Sequence, residues 1–552
     1  MNSLFVSLIA VALLYAGYRI YGSFLDKLWS IDSSRKTPAN ELDDGVDYVP
    51  AKHWLVLFGH HFSSIAGAGP IIGPVIAAAI WGWFPALLWI IIGSIFMGGV
   101  HDFSALVISL RNRGKSIADV TEAILGRTAR IIFAVFLWLA LILVVAVFSA
   151  VTAKTLINEP KIVVPTFGLI LVAVLAGKMM YSWKIKLWIA SVAGLSLLGL
   201  LIFAGIHIPV ILNVKNPLTV WILILLAYSY IASVLPVNLL LQPRDYLSAY
   251  VLFFSLIAGY AGILITRPQM HAPAFIKFSD CTEGSLWPMM VVMIACGAIS
   301  GFHSLVATGT TSKQIASEKD ARVIGYGSMI LEGMLACLSL VAVCAGLYWT
   351  GSRCSGLVYP ELLKEGDWIG TFAKGFGQLV KPIFGSELGI MIAIMTLNSF
   401  VMTTLDTATR INRYITEELF GDAFNIKFMR NRYVSTGFLM IFVVWLALGN
   451  WKAIWPVFGA SNQLIASLTL LVITAWLISK GKKAKYTLYP GIFVMITTVT
   501  ALVYQAAAYL KQSMYVLSII SAFLLVLAFF MVYIAIAKLI KLKNINRKEI
   551  MK

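Results

Sequence analysis

A long apolar stretch near the start of the chain is interrupted in its middle by glycine, proline and histidine. It runs from residue 53 to 79, and its centre includes Gly59-His60-His61-Phe62 and Ala66-Gly67-Ala68-Gly69-Pro70. Irregular backbone inside a bilayer leaves N–H and C=O groups without partners, which costs several kcal/mol for each group. Such a break is tolerated only where protein or a water-filled cavity receives those groups. The stretch therefore predicts a binding site near the middle of a membrane, as in transporters and channels.

Composition places the whole chain in a membrane. Of the 552 residues, 60% are hydrophobic and 12% are charged, whereas a soluble domain has about 25% charged residues. About 15 stretches are apolar and long enough to cross a bilayer as helices. We therefore predict an all-α polytopic membrane protein.

The net charge of +18 is distributed unevenly between alternating loops. With the N-terminus placed outside, roughly three-quarters of the 43 lysines and arginines fall in inside loops. Because positively charged loops stay in the cytoplasm, this bias predicts an N-terminus outside and a cytoplasmic C-terminus in a bacterial inner membrane. The charge is thus a topology signal with some attraction to anionic lipid, and no nucleic-acid partner is expected.

The five cysteines form no C-x-x-C motif. Cys281 and Cys354 both fall in predicted outside loops, where they could form a disulfide; the alternative is two free thiols. The histidines within the predicted spans match the spacing of no standard metal motif. Neither a metal nor a cofactor is predicted, and the oligomeric state is left open.

Two further apolar spans, at 218–241 and 284–308, are also interrupted by proline or glycine. The first of them lies five spans after the stretch at 53–80 and runs in the opposite direction. Broken helices at corresponding positions of two inverted halves are typical of secondary transporters. The predicted organisation is a peripheral first helix and polar loop at 1–52, an inverted-repeat core at 53–432 with halves at 53–212 and 218–410, and peripheral helices at 433–552.

Five groups of residues, in chain order, carry a resemblance to a known family. They read Gly59-His60-His61-Phe62 with Ala66-Gly67-Ala68-Gly69-Pro70, Gly99-Val100-His101-Asp102-Phe103, Ser233-Val234-Leu235-Pro236 with Pro243-Arg244-Asp245-Tyr246-Leu247, Gly301-Phe302-His303-Ser304 with Gly309-Thr310-Thr311-Ser312-Lys313-Gln314, and Phe458-Gly459-Ala460-Ser461-Asn462-Gln463-Leu464. Together they resemble the signature of the carbon starvation protein A (CstA) family. The resemblance implies a bacterial inner-membrane uptake carrier for pyruvate, with protons, or for peptides during nutrient limitation. It also implies kinship with the amino acid–polyamine–organocation superfamily and a LeuT-like five-plus-five core.

The glycines of the first break predict a cradle for a small carboxylate. The N-terminal end of a half-helix has free N–H groups and about half a positive charge, and the glycines let the backbone approach a ligand closely. The alternative is that the glycines serve close helix packing. Imidazole titrates near pH 6.5, so a histidine here could bind a carboxylate when charged and release a proton when neutral. The residues predicted to contact the substrate are His60, His61, Ser64, Gly67, Ala68, Gly69, Ser233, Pro236, Asn238, Ser300 and His303.

Asp102, beside His101, is the first candidate for the coupling proton, because a carboxylate within a membrane is costly and usually functional. The alternative is a structural pair with a neighbouring arginine or lysine. Asp406 is the second candidate, with a pair to Arg410 as its alternative. Glu332 is a third and weaker one.

A proton is the favoured coupling ion, and a sodium ion is the alternative. Hydroxyl oxygens suit a hard cation, and the sequence offers them at Thr308, Thr310, Thr311 and Ser312. Lys313 raises the alternative that a fixed positive charge replaces the ion. Arg244 and Asp245 are predicted to form a gate pair, or else a surface ion pair worth about 0–1 kcal/mol.

The sequence as a whole predicts a secondary transporter that takes up pyruvate or a similar small carboxylate by symport. A peptide carrier is the alternative and would need a larger cavity. A channel would need a filter of carbonyl groups, a membrane sensor would need a soluble output domain, and an enzyme would need a nucleophile with its base. The sequence shows no sign of these features.

Overall fold

The computed structural model describes residues 1–280, 284–351, 356–364, 366–449 and 451–550. Cys281 and Cys354 lie outside these ranges. Two short strands, β1 (Ser279–Asp280) and β2 (Gly284–Ser285), pair antiparallel. The helices are α1 Ser3–Ala16, α2 Ser23–Trp29, α3 Pro38–Glu41, α4 Trp54–Ile65, α5 Gly69–Trp81, α6 Trp83–Gly93, α7 Gly99–Arg111, α8 Ile117–Leu125, α9 Arg127–Asn158, α10 Val163–Gly177, α11 Leu187–His207, α12 Pro217–Val234, α13 Leu241–Thr266, α14 Val291–Met293, α15 Ala295–Ala298, α16 Gly301–Gly309, α17 Gly327–Gly346, α18 Tyr359–Lys364, α19 Trp368–Phe384, α20 Ser386–Thr416, α21 Arg432–Ala447, α22 Trp451–Ser479, α23 Lys485–Lys511 and α24 Tyr515–Ile550.

Within the described residues, 12 helical segments are long and apolar enough to cross a membrane, and α4 with α5 makes a thirteenth. Two predicted spans take other forms. The stretch at 284–308 is divided into short helices, and the stretch at 433–450 contains the 16-residue helix α21. The all-α polytopic prediction is confirmed.

The first break separates α4 from α5 at Ala66–Ala68 and bends the two helices by 42°. Pro70 stands in the first turn of α5, where its missing N–H group is not needed and its fixed φ suits a helix. α4 packs against α13, whereas α5 packs against α15 and α17. The two halves of the interrupted span therefore belong to different groups of helices.

A second break lies between α15 and α16, where Ile299 and Ser300 have extended backbone. The side-chain oxygen of Asn462, on α22, accepts a hydrogen bond of 2.7 Å from the N–H of Phe302. A buried amide therefore satisfies one of the free donors at the start of α16. The interruption predicted within 284–308 is confirmed.

The interruption at Pro236 has a different form from the one predicted. α12 ends at Val234 and α13 begins at Leu241, so residues 235–240 are a turn between two complete spans and not the unwound centre of one span. The physical reason is that a proline disfavours helix in the residue before it, and Leu235 is accordingly extended. The limits of the two halves, 53–212 and 218–410, stay a prediction.

Candidate functional site

Four titratable side chains form a cluster deep inside the bundle. His303 Nδ1 lies 2.8 Å from Asp102 Oδ2, and His303 Nε2 lies 3.2 Å from Glu332 Oε2. His101 Nδ1 lies 2.7 Å from the other oxygen of Asp102. All four side chains are 0% exposed. One imidazole on α16 is thus placed between a carboxylate of α7 and a carboxylate of α17.

This cluster can hold and pass a proton. An imidazole can accept a proton at one ring nitrogen while it releases one from the other, and both nitrogens of His303 face a carboxylate. Buried charges are tolerated when they are paired and hydrogen-bonded; His303 is hydrogen-bonded to Asp102, whereas its 3.2 Å approach to Glu332 is an ion-pair distance without a hydrogen bond. Among the described residues, Asp102 pairs with histidines and not with the arginine or lysine that the structural alternative required. Glu332, the weakest sequence candidate, belongs to the same chain of contacts.

The two adjacent histidines of α4 contact different partners. His60 Nδ1 lies 2.6 Å from Asp245 Oδ2, and its Nε2 lies 3.3 Å from the hydroxyl of Thr310. His61 Nδ1 lies 2.8 Å from the hydroxyl of Thr311. His61 Nε2 is buried and has no hydrogen-bond partner among the described residues. This nitrogen is therefore free for a ligand or a proton.

The hydroxyl groups predicted to bind sodium have protein partners in this structure. Those of Thr310 and Thr311 contact the histidines of α4. Thr308 donates to the carbonyl of Ser304 (2.8 Å), one turn earlier in α16, and Ser312 lies 2.9 Å from the hydroxyl of Ser109. A role for these four groups in ion binding stays a prediction.

A second group of hydroxyls lies beside the first break, and the sequence reasoning missed it. Thr404 donates to the carbonyl of Ser64 at 3.0 Å, and the hydroxyls of Ser64 and Thr407 lie 3.0 Å apart. Thr404 and Thr407 are three residues apart on α20 and therefore share one face. This spacing of threonines within an apolar span was the available signal.

The glycines of the first break serve packing at least in part. A methyl group at Gly69 would overlap with Cys296 of α15, and one at Gly67 would lie 3.1 Å from the hydroxyl of Thr404. The packing alternative thus holds for Gly69, which lets the two interrupted segments approach each other. Ala68 directly precedes α5, and Ser300 accepts a hydrogen bond of 2.9 Å from Asn462.

The predicted gate residues are buried and have other partners. Arg244 forms an ion pair with Asp406, and Tyr228 donates to the same carboxylate at 2.6 Å. Asp245 lies 3.8 Å from Arg244 but only 2.6 Å from His60. The surface-pair alternative is therefore wrong, because the two side chains link α13 to α20 and to α4. The alternative partner of Asp406, Arg410, pairs with Asp47 instead, and a coupling role for Asp406 stays a prediction.

Arg410 takes part in a cluster that joins the loop at 30–53 to the end of α20. The carboxylate of Asp47 accepts hydrogen bonds from Arg410 (2.7 Å), Arg413 (2.9 Å) and Tyr414 (2.7 Å). The ammonium of Lys313 lies 3.7 Å from the centre of the Tyr414 ring. The loop, which belongs to the segment predicted to be peripheral, thus closes this end of the bundle. We call this cluster the Asp47 clamp. It consists of the contacts of Asp47 with Arg410, Arg413 and Tyr414 and the contact of Lys313 with Tyr414.

Ser233, Pro236 and Asn238 lie at the same end as the Asp47 clamp. Ser233 is 3.5 Å from the hydroxyl of Thr436 on α21, and Pro236 and Asn238 belong to the turn between α12 and α13. The N–H of Val237 donates to a carbonyl of the loop, that of Val46. The structure thus places these three residues in the closed end, and a substrate role for them stays a prediction.

Two cavities flank α5 at the opposite end of the bundle. One, of about 560 Å3, is lined by Gly69, Gly73 and Cys296 and so reaches the first break. The other, of about 480 Å3, lies between α5, α9, α19 and α20, and Trp368 lines both. Ile390 of the second cavity and Arg410 are 20 residues apart on α20, which corresponds to about 30 Å along a helix. One end of the bundle is therefore closed by the clamp, while the other contains cavities.

Interrupted helices packed around a buried polar cluster, with a closed end and a cavity-bearing end, define a secondary transporter. The sequence profile described as carbon starvation protein CstA matches residues 2–361 and 357–501. The chain belongs to this family.

Two relatives illustrate the range of the family. The peptide transporter CstA of Campylobacter jejuni is 30% identical over 566 residues, which cover 90% of this chain and 79% of the relative. The pyruvate/proton symporter BtsT of Escherichia coli is 31% identical over 588 residues, which cover 91% and 81%. The protein is therefore a multi-pass membrane transporter, as its sequence predicted.

The fold is shared with a more distant transporter. A manganese transporter of Eremococcus coleocola superimposes with a TM-score of 0.52 at 12% identity, covering 91% of this chain and 99% of the other. At that identity the likeness concerns the fold alone, and it confirms the predicted LeuT-like architecture. Within the described residues, no group of three or more His, Cys, Asp or Glu side chains is arranged to hold a metal ion.

Proposed function

We propose that this protein takes up pyruvate or a similarly small carboxylate across the bacterial inner membrane together with a proton. The observation that carries the proposal is the chain Asp102–His303–Glu332, which is fully buried and built only from groups that exchange protons. A relative named as a pyruvate/proton symporter, similar over nearly the whole chain, supports the substrate and the ion.

The substrate site we propose lies at the first break, next to the proton cluster. His60 and His61 stand one to two turns before the break, and the cavity of about 560 Å3 reaches Gly69 just after it. A charged imidazole and the free N–H groups of a half-helix both favour a carboxylate. Nε2 of His61, which has no hydrogen-bond partner in the part of the chain that the structure describes, is the group we assign to the substrate carboxylate or to its proton.

The Asp47 clamp supports alternating access. The predicted topology places this end on the cytoplasmic side of the membrane. In this proposal the described conformation is therefore closed toward the cytoplasm. The clamp must open to release substrate, and the buried links from Arg244 to Asp406 and from Asp245 to His60 join the helices that would then move. In this proposal Arg244 and Asp245 act as connections within the gate and not as a pair.

Peptide uptake is the second candidate. Relatives named as peptide transporters match the chain about as well as the pyruvate symporter does. The two cavities, of about 480 and 560 Å3, fall within the range of about 300–1,000 Å3 that holds ligands larger than a three-carbon acid.

The test is uptake of labelled pyruvate into proteoliposomes with an inward proton or sodium gradient imposed in turn, and with unlabelled di- and tripeptides as competitors. We expect concentrative uptake with the proton gradient. The variants Asp102→Asn and Glu332→Gln should lose it but retain exchange of internal for external pyruvate, because an amide cannot release a proton. Asp422→Asn removes a carboxylate that is 55% exposed and serves as the control.

Uptake driven by sodium alone would contradict the coupling assignment. Peptide transport without pyruvate transport would contradict the substrate but leave the transporter class intact. Unchanged proton-driven uptake in both variants would remove the buried cluster from the mechanism.

A further inference from the structure

The cavity between α9 and α19 contains charged groups that the proposed transport site does not use. It is lined by Lys154 of α9 and Lys374 of α19, together with Asp367, Trp368 and apolar residues of α20. Both lysines are half-buried. Two helices distant in sequence therefore each contribute an ammonium group to one cavity.

The positive charge of this cavity is only partly neutralised by the described residues, because its lining has two lysines and one carboxylate. Neither Lys154 nor Lys374 forms an ion pair within the ranges that the structure describes, and the only charged group beside them in the lining is Asp367. That carboxylate caps α19, since its Oδ1 accepts the N–H of Gly370 at 3.1 Å. Half-buried ammonium groups keep part of their hydration, so an anion is attracted to them but is not required. The lining therefore favours a negatively charged ligand.

The remaining lining restricts the ligand further. Apolar residues make up most of the wall, including Ile72, Val151 and Ile390, and the indole of Trp368 adds an aromatic surface. An inorganic anion would leave this surface in contact with water. A carboxylate attached to an apolar body would satisfy both the lysines and the wall.

We propose that this cavity is a second binding site for small carboxylates with an apolar body, in which Lys154 and Lys374 hold the carboxylate. The proposal rests on the proposed function, because such a carboxylate is the substrate class assigned there. Ile72, in the cavity wall, lies one turn after Gly69 in α5, so a ligand here is adjacent to the proposed transport site. Lysines at this end also raise the local concentration of an anionic substrate before it reaches the break.

The site should prefer larger acids than pyruvate. A volume of about 480 Å3 exceeds what a three-carbon acid fills. A branched 2-oxo acid such as 4-methyl-2-oxopentanoate places its carboxylate at the lysines and its branched end against the apolar wall. We expect it to inhibit pyruvate uptake, and this inhibition should depend on both lysines.

The first experiment measures pyruvate uptake by the full chain carrying Lys154→Gln, Lys374→Gln or both. We expect the double variant to raise the KM for pyruvate about tenfold with an unchanged maximal rate, as for the loss of a charged hydrogen bond. Inhibition by 4-methyl-2-oxopentanoate should weaken by a similar factor. The control is Lys381→Gln, which removes an exposed lysine two turns further along α19 and should change neither value. An unchanged KM and unchanged inhibition in the double variant would overturn the proposal, as would an equal effect of the control.

The second experiment does not require transport. Asn158→Cys, at another residue of the cavity lining, is introduced into purified protein that keeps both lysines and whose native cysteines are replaced, and the rate of its reaction with a charged thiol reagent is measured with and without 4-methyl-2-oxopentanoate. Protection by the acid supports the site even if the protein transports no pyruvate, in which case only the proposed substrate fails. Absence of protection at saturating acid would overturn the second site and leave the proposed function untouched.

Discussion

The Asp47 clamp provides a quantitative test of how one end of the transporter is closed. The side chains of Arg410 and Arg413 are only 1% exposed, and Asp47 is 17% exposed. The variant Asp47→Asn keeps the shape and one acceptor oxygen but removes the charge between two buried guanidinium groups. Loss of one partner from a buried ion pair costs about 3–5 kcal/mol. Because Asp47 retains some solvent contact and asparagine still accepts a hydrogen bond, we expect about 2–3 kcal/mol here.

This free energy should appear as a change in conformational equilibrium. If the clamp forms only when this end is closed, then about 2–3 kcal/mol shifts the equilibrium toward the open form by roughly 30- to 150-fold. Val237 is 0% exposed and its N–H donates to the loop at Val46, so Val237→Cys places a thiol beneath the clamp. The rate of thiol labelling then reports the open population. Labelling should accelerate by the same factor when Asp47→Asn is added.

The matched control is Asp43→Asn, which removes an exposed carboxylate from the same loop. It should leave the labelling rate within about twofold, as expected for a surface charge. An equal acceleration in both variants would mean that the net charge of the loop, and not the clamp, closes this end. No acceleration with Asp47→Asn would refute the clamp.

The pH dependence of the same measurement has a defined sign. Burial alone would raise the pKa of Asp47, but the charges of Arg413, Arg410 and Lys313 outweigh it and hold the pKa well below its ordinary value. A carboxylate with a lowered pKa stabilises the folded form above its unfolded value of about 3.9 and loses that contribution only as the pH falls below it. The effect of Asp47→Asn should therefore be the same at pH 5.5 and at pH 8. A clamp that weakened between these values would contradict the assignment.

Three further substitutions test the packing and polar links of the core. Gly69→Ala should lower the unfolding free energy by about 1–3 kcal/mol through overpacking. The control is Gly199→Ala, which has open space around it and should leave the melting temperature unchanged or slightly higher. Equal effects of the two variants would show that Gly69 is not a close contact. Asn462→Leu removes the acceptor at the start of α16 and should cost about 1–3 kcal/mol, measured by thermal unfolding in detergent; an unchanged melting temperature would exclude the cap. Arg244→Met leaves the carboxylate of Asp406 unpaired and should cost about 3–5 kcal/mol, while Arg244→Lys should lose less because it keeps the charge but not the forked geometry; equal losses would show that the charge is not what matters.

The sequence was sufficient to predict the class of fold and the first break. Glycine and proline at membrane depth predict an interrupted helix, and the structure interrupts the helix at Ala66–Ala68. Pro236 looked equivalent in sequence, because three leucines follow it at 239–241 and the first charged residue, Arg244, comes eight residues later. What distinguishes the two cases is the length of helix on each side: α12 and α13 have 18 and 26 residues and are each long enough to span alone, whereas α4 has 12.

The contacts of the candidate site were only partly accessible to sequence reasoning. His101 and Asp102 are neighbours in the chain, so their association could be proposed from the pattern. Asp47 and Arg410 are 363 residues apart, and nothing local to either residue indicates the other. The partner considered for Arg410 was instead Asp406, four residues away, because the pairings that a sequence makes visible are those between near neighbours and across one helical turn.

A proposed transporter of this kind requires that proton binding and the closed end influence each other, and the contacts of α4 provide a direct route. His60 and His61 contact Thr310 and Thr311, which lie three and two residues before Lys313, a member of the Asp47 clamp. His303 lies in the same segment, about two turns before these threonines, and is held between Asp102 and Glu332. A change in the protonation of His303 therefore acts on a short stretch of backbone whose far end packs against Tyr414. Packed interiors respond to a change in charge by switching between discrete arrangements and not by continuous deformation. We therefore expect proton uptake by the cluster to alter the stability of the clamp. Glu332→Gln should accordingly change the labelling rate of Val237→Cys even in the absence of substrate, and an unchanged rate would show that the proton cluster and the closed end act independently.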